Sequence, residues 1–400
     1  MNTTTITDAK AQAKRKYEYI SADSHLEMRP DCCAAWVPEK YKEWVPTRVE
    51  LPDGGEGFSI KGSKPVIGQQ GLFAGHSVEE FTPFGRPWAG AGTGTPKQRL
   101  EEQDADGVDA EVLYPAPQFL RLCGTVITDP RAYEAMLRAY NDWQAQEYCA
   151  EAPDRLLGVG VIPISGIEAA VAELEHCKEL GLPTVNVAAF PAGHKYPSDE
   201  DDRFWAAALD LEMPLTVHVS MSARNSSEEP IFVYPKTPLA VQWAATDYAQ
   251  RLYRYGLRGA TNAVQMILQG VFDRFPDLRF YFAENQIGWI PLFLQQLDRQ
   301  YERSYHWAMR ELGVKPLKRL PSEYIGEHCY WGFFDDPVGL SNLQLIGVDN
   351  VMWSTDFPHL ECAWPESRKL IEETFIGVSD EDRWKITAGN AIKYFGLDAG

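Results

Sequence analysis

The sequence predicts an α/β protein built as a closed parallel (β/α)₈ barrel, the TIM barrel, with a long insertion after its first strand. Two observations predict this fold. Eight short apolar segments recur along the chain, and longer stretches with helical periodicity separate most of them. An open doubly wound sheet is the competing fold, but it needs a glycine-rich phosphate turn after the first strand, and residues 24–29 offer no such turn.

The elements follow one another in the order that a barrel requires. The predicted strands are 19–22, 110–114, 157–164, 184–188, 215–219, 278–283, 329–334 and 351–354. The predicted helices are 128–151, 167–180, 201–211, 238–274, 290–312, 337–345 and 365–375. A barrel of this kind takes about 250 residues, so much of the 400-residue chain belongs to insertions.

The largest insertion covers residues 28–106, between strands one and two, and is rich in glycine and proline. It leaves the barrel at the carboxyl ends of the strands, where active sites of such barrels lie, so it is predicted to be a lid. A second insertion, residues 220–238, follows strand five. We expect residues 1–18 to be an N-terminal tail and residues 19–400 to form a single domain.

The composition limits the class of protein. Hydrophobic residues make up 44% of the chain, which suits a globular core. The 38 Lys and Arg against 57 Asp and Glu give a net charge of −19, which argues against a nucleic-acid partner. Seven cysteines without a CxxC pair suggest reduced thiols. With neither a membrane span nor a signal sequence in evidence, we expect a cytoplasmic protein.

Ionisable side chains recur at the carboxyl ends of four predicted strands. Strand one ends in Asp23 and His25, which share a face because the side-chain period of a strand is two, and Glu27 follows them. Strands five, six and eight end in His218, Glu284 and Asp356. Burying these groups unpaired is costly, and a shared metal ion removes that cost. The combination predicts a divalent-metal site.

Each of these residues alone has an ordinary structural explanation. Asp356 could cap the following helix, and a strand-end histidine such as His218 is more often simply hydrogen-bonded. Glu27 could face solvent or support a ligand, and Glu284 could accept a hydrogen bond from the free N–H of a ligand histidine.

Six segments together resemble the amidohydrolase superfamily, in the branch called amidohydrolase family 2. They are YISADSH at 19–25, AEVLYP at 110–115, GVFDRFPD at 270–277, ENQIGW at 284–289, FDD at 334–336 and STDFPH at 354–359. The resemblance runs from residue 19 to about residue 394. It implies a (β/α)₈ barrel with divalent metal at the carboxyl ends of its strands, and a homodimer.

The resemblance also implies roles for individual residues. Asp23 and His25 would be the strand-one ligands, His218 the strand-five ligand, and Asp356 the strand-eight carboxylate that ligates metal or moves a proton. The sequence departs from the broader superfamily at strand four, where Asn186 stands in place of a lysine. It departs again at strand six, where a glutamate stands in place of a histidine. Both departures argue against a conventional dizinc hydrolase site.

The candidate ligands are rich in oxygen. Four carboxylates and two imidazoles suit Fe²⁺ or Mn²⁺ at least as well as Zn²⁺. Six ligands exceed what one catalytic ion with an open position uses, so the count favours two ions over one. This arrangement resembles nonheme di-iron sites, and some members of the branch look like thioester hydrolases.

Further residues are candidates for catalysis and substrate binding. His359, three residues after Asp356, could act as a general acid or be an ordinary loop histidine. Arg224 could bind a substrate carboxylate or phosphate, or be solvated. The other predicted substrate-binding residues are Trp88, Tyr114, Asn186 and Trp289.

Two reactions follow from these residues, and the sequence favours the first. In hydrolysis, metal-activated water attacks a thioester, ester, lactone or amide, and Asp356 moves the proton. In nonoxidative decarboxylation, Asp356 protonates the ring of an ortho-hydroxy aromatic acid. A scaffold protein on a decayed enzyme fold would lack ligands, yet each expected position carries one. The insertion predicts a sizeable, partly apolar small-molecule substrate.

Overall fold

The computed structural model describes residues 15–51, 56–67, 73–80, 90–221 and 257–399. In these ranges eight parallel strands pair in chain order into one sheet, as the sequence predicts. The strands are β1 Ile20–Leu26, β2 Ala110–Pro115, β3 Leu156–Val161, β4 Thr184–Asn186, β5 Leu215–His218, β6 Phe280–Ala283, β7 Cys329–Phe333 and β8 Val351–Trp353. The (β/α)₈ fold is confirmed.

The segment after β8 closes the barrel against β1. The backbone N–H of Asp356 donates to the carbonyl of Asp23 at 2.9 Å, and the N–H of His25 donates to the carbonyl of Phe357 at 2.7 Å. These bonds bring the acidic residues of the first and last strands side by side, although more than 300 residues separate them in the chain.

Alternation along the strands divides the apolar core into two layers. Inside the barrel, one buried cluster joins side chains of different strands, including Ile20, Val112 and Met352. A second cluster packs the opposite faces, including Val217 and Phe280, against the helices. Because a strand exposes its side chains to alternate faces, neighbouring residues such as Phe282 and Ala283 of β6 belong to different layers. Most charged side chains of the strands lie at their carboxyl ends.

The helices surround the barrel. The α-helices are α1 Pro96–Asp106, α2 Pro117–Val126, α3 Pro130–Trp143, α4 Ile167–Glu179, α5 Asp202–Asp210, α6 Leu257–Gln269, α7 Val271–Arg274, α8 Ile290–Trp307, α9 Pro321–His328, α10 Pro337–Leu340, α11 Leu343–Ile346, α12 Ser367–Thr374, α13 Asp380–Trp384 and α14 Asn390–Phe395. Single turns of 3₁₀ or π helix cover Glu39–Trp44, Val78–Glu80, Gln144–Tyr148, Cys149–Glu151, Asp199–Asp201, Ala308–Leu312, Val348–Asn350 and Lys385–Gly389. Residues 238–256 of the predicted helix 238–274 lie outside the described ranges.

The predicted insertion, residues 28–106, contains a small sheet and an α-helix. The strands Thr47–Glu50, Glu56–Ser59 and Val66–Ile67 form a small antiparallel sheet, which the sequence did not predict. Phe58 of this sheet is buried with residues of α2 and α3. Residues 96–106 form α1, the helix that joins β1 to β2, so the insertion is shorter than predicted. Its function as a lid stays a prediction.

The amino-terminal residues that the structure describes lie against the barrel. Arg15 donates to the side chain of Asp154, and the hydroxyl of Tyr17 donates to the carbonyl of the same residue. Residues 15–18 of the predicted tail therefore pack against the barrel. Among the described helices, none combines the length and the apolar character that crossing a bilayer requires.

A buried ion pair supports the end of β1. Arg99 of α1 contacts Glu111 of β2, with Nε 2.6 Å from Oε2, and both side chains are buried. Nη1 of Arg99 also donates to the carbonyl of His25 at 3.0 Å. The pair therefore links β2 to the backbone that carries His25.

Replacing Arg99 with Leu is expected to lower the free energy of unfolding by about 3–5 kcal/mol, because it leaves the buried Glu111 carboxylate unpaired. Urea unfolding measures this change. The double variant Arg99→Leu with Glu111→Leu is expected to recover most of the loss. The exposed pair of Arg203 and Glu168 provides a control, since Arg203→Leu is expected to cost less than about 1 kcal/mol. Equal losses in the Arg99→Leu and Arg203→Leu variants would contradict this assignment.

Candidate active site

The carboxyl ends of the strands bring the predicted metal-binding residues together around His25. Nε2 of His25 lies 3.1 Å from Oδ1 of Asp356, 3.2 Å from Nε2 of His218 and 3.6 Å from Oδ1 of Asp23. Nε2 of His218 lies 3.9 Å from the same Asp23 oxygen. His25, Asp23 and Asp356 are fully buried, while the His218 side chain keeps 19% of its surface exposed. One cluster therefore contains four of the six predicted ligands, Asp23, His25, His218 and Asp356.

This cluster fits a divalent ion. Ligand atoms about 2.1 Å from a tetrahedral ion lie roughly 3.4 Å from one another. The separations among Asp23, His25 and His218, 3.2–3.9 Å, match that spacing. Within the described residues, buried Oδ2 of Asp356 has no hydrogen-bond partner. Two buried carboxylates, those of Asp23 and Asp356, converge on Nε2 of His25, and buried negative charge is costly unless cations compensate it, so the donor set suits a metal ion.

A second group of contacts is centred on His359. Its Nε2 lies 3.0 Å from Oε1 of Glu27, and its Nδ1 lies 3.2 Å from Oδ1 of Asp356. The His359 ring also stacks on the His25 ring, with centroids 3.7 Å apart. Glu27, predicted as a metal ligand, is thus paired with His359. The sequence left the role of His359 open, and the structure makes it part of the cluster.

The two stacked imidazoles differ in charge. Burial and the nearby His359 lower the pKa of His25 to about 4, so His25 is neutral and can offer Nε2 to a metal. Burial opposes the charged form of His359, but Asp356 and then Glu27 outweigh it and raise the pKa of His359 to about 10. At neutral pH a neutral imidazole lies beside a protonated one.

Glu284, which ends β6, contacts His218. Its Oε2 lies 3.4 Å from Nε2 of His218, the same nitrogen that faces His25. An acceptor for the free N–H of a ligand histidine would face the other ring nitrogen. This contact therefore places Glu284 on the side of His218 that faces His25.

The backbone is strained where three of the strands end. Val219, Glu284 and Asp356 have φ angles of 59°, 55° and 55°, the left-handed region that residues other than glycine seldom adopt. For the β-branched Val219 this conformation is an outlier. Strain of this kind persists where the surrounding structure imposes it, and it clusters at functional sites.

A cavity of about 330 Å³ opens beside the cluster. His218 lines it, together with Tyr114 and Asn186, two of the predicted substrate-binding residues. The Tyr114 ring lies 5.2 Å from that of His218, and burial together with Asp23 raises the pKa of Tyr114 well above its usual value. Tyr114 therefore remains a neutral phenol beside the cluster.

Of the remaining predicted substrate-binding residues, the structure describes Trp289, which does not line this cavity. Trp289 packs edge-on against Trp331 and Phe293 in the helix layer, and its indole N–H donates to the carbonyl of Asn285. Trp88 and Arg224 lie outside the described ranges.

The sequence analysis missed two arginines. Arg121 of α2 lines the cavity, and Arg99 of α1 supports the His25 backbone. A signal for Arg121 was present, since it follows the end of strand two by only a few residues. Arg99 gave no such signal, because the buried residues of α1 are all polar: Arg99, Glu102, Gln103 and Asp106.

Comparisons with known proteins agree with this arrangement. The family model described as Amidohydrolase (Amidohydro_2) matches residues 31–397. The γ-resorcylate decarboxylase of Polaromonas sp. strain JS666 is 27% identical over 316 residues, which cover 75% of this chain and 87% of that protein.

Solved structures share the fold. An amidohydrolase from Mycobacterium avium subsp. paratuberculosis K-10 superposes with a TM-score of 0.69 at 18% identity, covering 95% of this chain and 99% of its own. The 5-carboxyvanillate decarboxylase of Novosphingobium aromaticivorans, solved with bound manganese, gives a TM-score of 0.60 at 21% identity, covering 75% and 80%. Because the family model spans most of the chain, this protein belongs to the amidohydrolase family.

Proposed function

We propose that this protein is a metal-dependent, nonoxidative decarboxylase of an aromatic acid that carries an ortho-hydroxyl group. The observation that carries the proposal is the position of His359 between two carboxylates, 3.0 Å from Glu27 and 3.2 Å from Asp356. Two anions hold this imidazole in its protonated form. Decarboxylation needs such an acid, because the ring carbon must gain a proton.

Asp23, His25 and His218 would hold one divalent ion, with Mn²⁺ and Zn²⁺ as the main candidates. Three protein ligands and an open position are typical of a catalytic site. When bound, the ion supplies positive charge that attracts the carboxylate and hydroxyl oxygens of the acid. The contacts converge on a single nitrogen of His25, which favours one ion over the two that the ligand count suggested.

The residues around the ion would move the proton. His359 holds it, and Nδ1 passes it to Oδ1 of Asp356, 3.2 Å away. Asp356 delivers it to the ring carbon that bears the carboxylate. That carbon gains a C–H bond, its bond to the carboxylate breaks, and the electron pair of that bond returns to the ring as carbon dioxide leaves. The reaction is redox-neutral and needs no organic cofactor.

This proposal reverses the preference for hydrolysis that the ligand count suggested. Hydrolysis needs a base that takes the proton of the attacking water. Burial opposes the charged form of His359, but Asp356 and Glu27 raise its pKa to about 10, so His359 already carries a proton at neutral pH and cannot serve as that base. The similarity to γ-resorcylate decarboxylase also favours decarboxylation over hydrolysis. Thioester hydrolysis was favoured because the ligand count suggested two ions, and a site for one ion removes that reason.

A panel of acids and esters tests the proposal. Metal-loaded protein is expected to release carbon dioxide from 2-hydroxybenzoate or 2,6-dihydroxybenzoate, in an amount equal to the acid consumed. The 3- and 4-hydroxy isomers, which cannot present both oxygens to one ion, are expected to react at least about a hundredfold more slowly. Aryl esters and thioesters serve as the comparison. Hydrolysis of these compounds with no release of carbon dioxide from any acid would contradict the proposal.

A further inference from the structure

One face of α2 forms a wall of the cavity. Pro117, Leu120, Arg121, Gly124 and Thr125 all line it, and their spacing of three and four residues is that of a single helical face. The helix starts two residues after the end of β2, beside the cluster. Arg121 lies one turn, about 6 Å, beyond Pro117, the first residue of the helix.

Arg121 sets the charge of this wall. Of the described residues that line the cavity, it is the only lysine or arginine, and none of them is an aspartate or glutamate. The Arg121 residue is partly buried, and this burial lowers the pKa of its side chain. A partly desolvated guanidinium binds a carboxylate through short charge-assisted hydrogen bonds. On a chain of net charge −19, such a group offsets repulsion of an anionic substrate.

The cavity limits the size of the occupant. A volume of about 330 Å³ lies at the small end of the range for ligand pockets, roughly 300–1,000 Å³. Its walls, apart from Arg121, are mostly apolar or uncharged, and include Val161, Ile162 and Ile164 of β3 and the loop that follows it. A single ring fits these dimensions and this chemistry.

We propose that Arg121 determines substrate specificity by binding a second carboxylate on the ring, away from the one that leaves. This inference rests on the proposed function, since it deepens the substrate class of the same site to aromatic dicarboxylic acids. Arg121 contacts the bound substituent and takes no part in the proton transfer.

Kinetics on paired substrates test this inference. The probes are 2-hydroxybenzoate and 2-hydroxybenzene-1,4-dicarboxylate, with metal-loaded protein. The Arg121→Gln variant is expected to lower the ratio of kcat/KM for the dicarboxylate to kcat/KM for the monocarboxylate by about 10- to 100-fold. Arg121→Lys keeps the charge without the planar fork, so the ratio is expected to fall by less than in Arg121→Gln.

The matched control is Arg131→Gln, which removes an exposed arginine of α3 that does not line the cavity. It is expected to leave the ratio unchanged. An unchanged ratio in Arg121→Gln, or an equal fall in Arg131→Gln, would overturn the assignment.

A binding measurement separates this inference from the proposed reaction. Calorimetric titration with benzene-1,4-dicarboxylate and with benzoate requires no turnover. If no acid releases carbon dioxide but Arg121→Gln weakens binding of the dicarboxylate alone, the Arg121 site stands and the proposed reaction fails. If the acids release carbon dioxide but the wild-type protein and Arg121→Gln bind each probe with equal affinity, the Arg121 inference is wrong and the proposed reaction stands.

Discussion

Replacing His359 with Gln is expected to lower kcat for decarboxylation by about 10²- to 10⁴-fold, the usual contribution of a general acid. Glutamine preserves hydrogen bonding toward Glu27 and Asp356 but cannot hold the proton that the ring carbon must receive. Because the proposed ligands are Asp23, His25 and His218, the variant is expected to keep its ion. The change should therefore appear in kcat and leave metal content near the wild-type value.

Steady-state kinetics and elemental analysis on the same preparations measure both quantities. The control is His194→Gln, which replaces a half-exposed loop histidine that contacts Glu200 and is not part of the cluster, and it is expected to leave kcat unchanged. Imidazole added to a His359→Ala variant is expected to restore part of the rate, which a purely structural loss would not allow. Loss of the ion from His359→Gln would show that His359 is a ligand and would contradict its assignment as the acid.

Replacing His218 with Gln is expected to remove the ion and almost all activity. Nε2 of His218 lies 3.2 Å from Nε2 of His25 and 3.9 Å from Oδ1 of Asp23, so its loss removes one of the three donors of the proposed metal site. Loss of a residue that merely supports a ligand costs about 10- to 100-fold in metal affinity, and loss of a ligand is expected to exceed that.

Titration of the metal-free protein with Mn²⁺ and Zn²⁺ measures these affinities. His176→Gln is the matched control, because His176 pairs with Asp142 on the helix layer and lies outside the cluster. Wild-type protein is expected to bind one ion per chain. A His218→Gln variant that still binds one ion with wild-type affinity would exclude His218 as a ligand.

The fold was predictable because a strand buried in a barrel is a short apolar run whatever its neighbours are. The eight strands stand out for that reason. Helix α1 does not, since the four residues that it buries are polar and leave no apolar stripe. Helix α2 was missed as well, in a stretch that contains two prolines and a glycine. The short sheet of the insertion gave no clear alternation.

The candidate site was predictable in part. Parallel strands end on the same side of a barrel, so His25, His218 and Asp356 had to lie near one another once the fold was known. A count of six donors could not show which of them would bind the ion and which would hold or transfer a proton. That division depends on Glu27 facing His359 at 3.0 Å, a contact between residues 332 positions apart. The preference for hydrolysis came from the donor count alone.

The most direct test of the central claim is decarboxylation of an ortho-hydroxybenzoate in D₂O, followed by nuclear magnetic resonance of the product. We predict a phenol that carries one deuterium at the carbon that bore the carboxylate, formed in equal amount with carbon dioxide by the metal-loaded protein. The His359→Gln variant should form this deuterated phenol about 10²- to 10⁴-fold more slowly. If the acid is recovered unchanged while an ester or thioester is hydrolysed, this protein is a hydrolase and the proposed function is wrong.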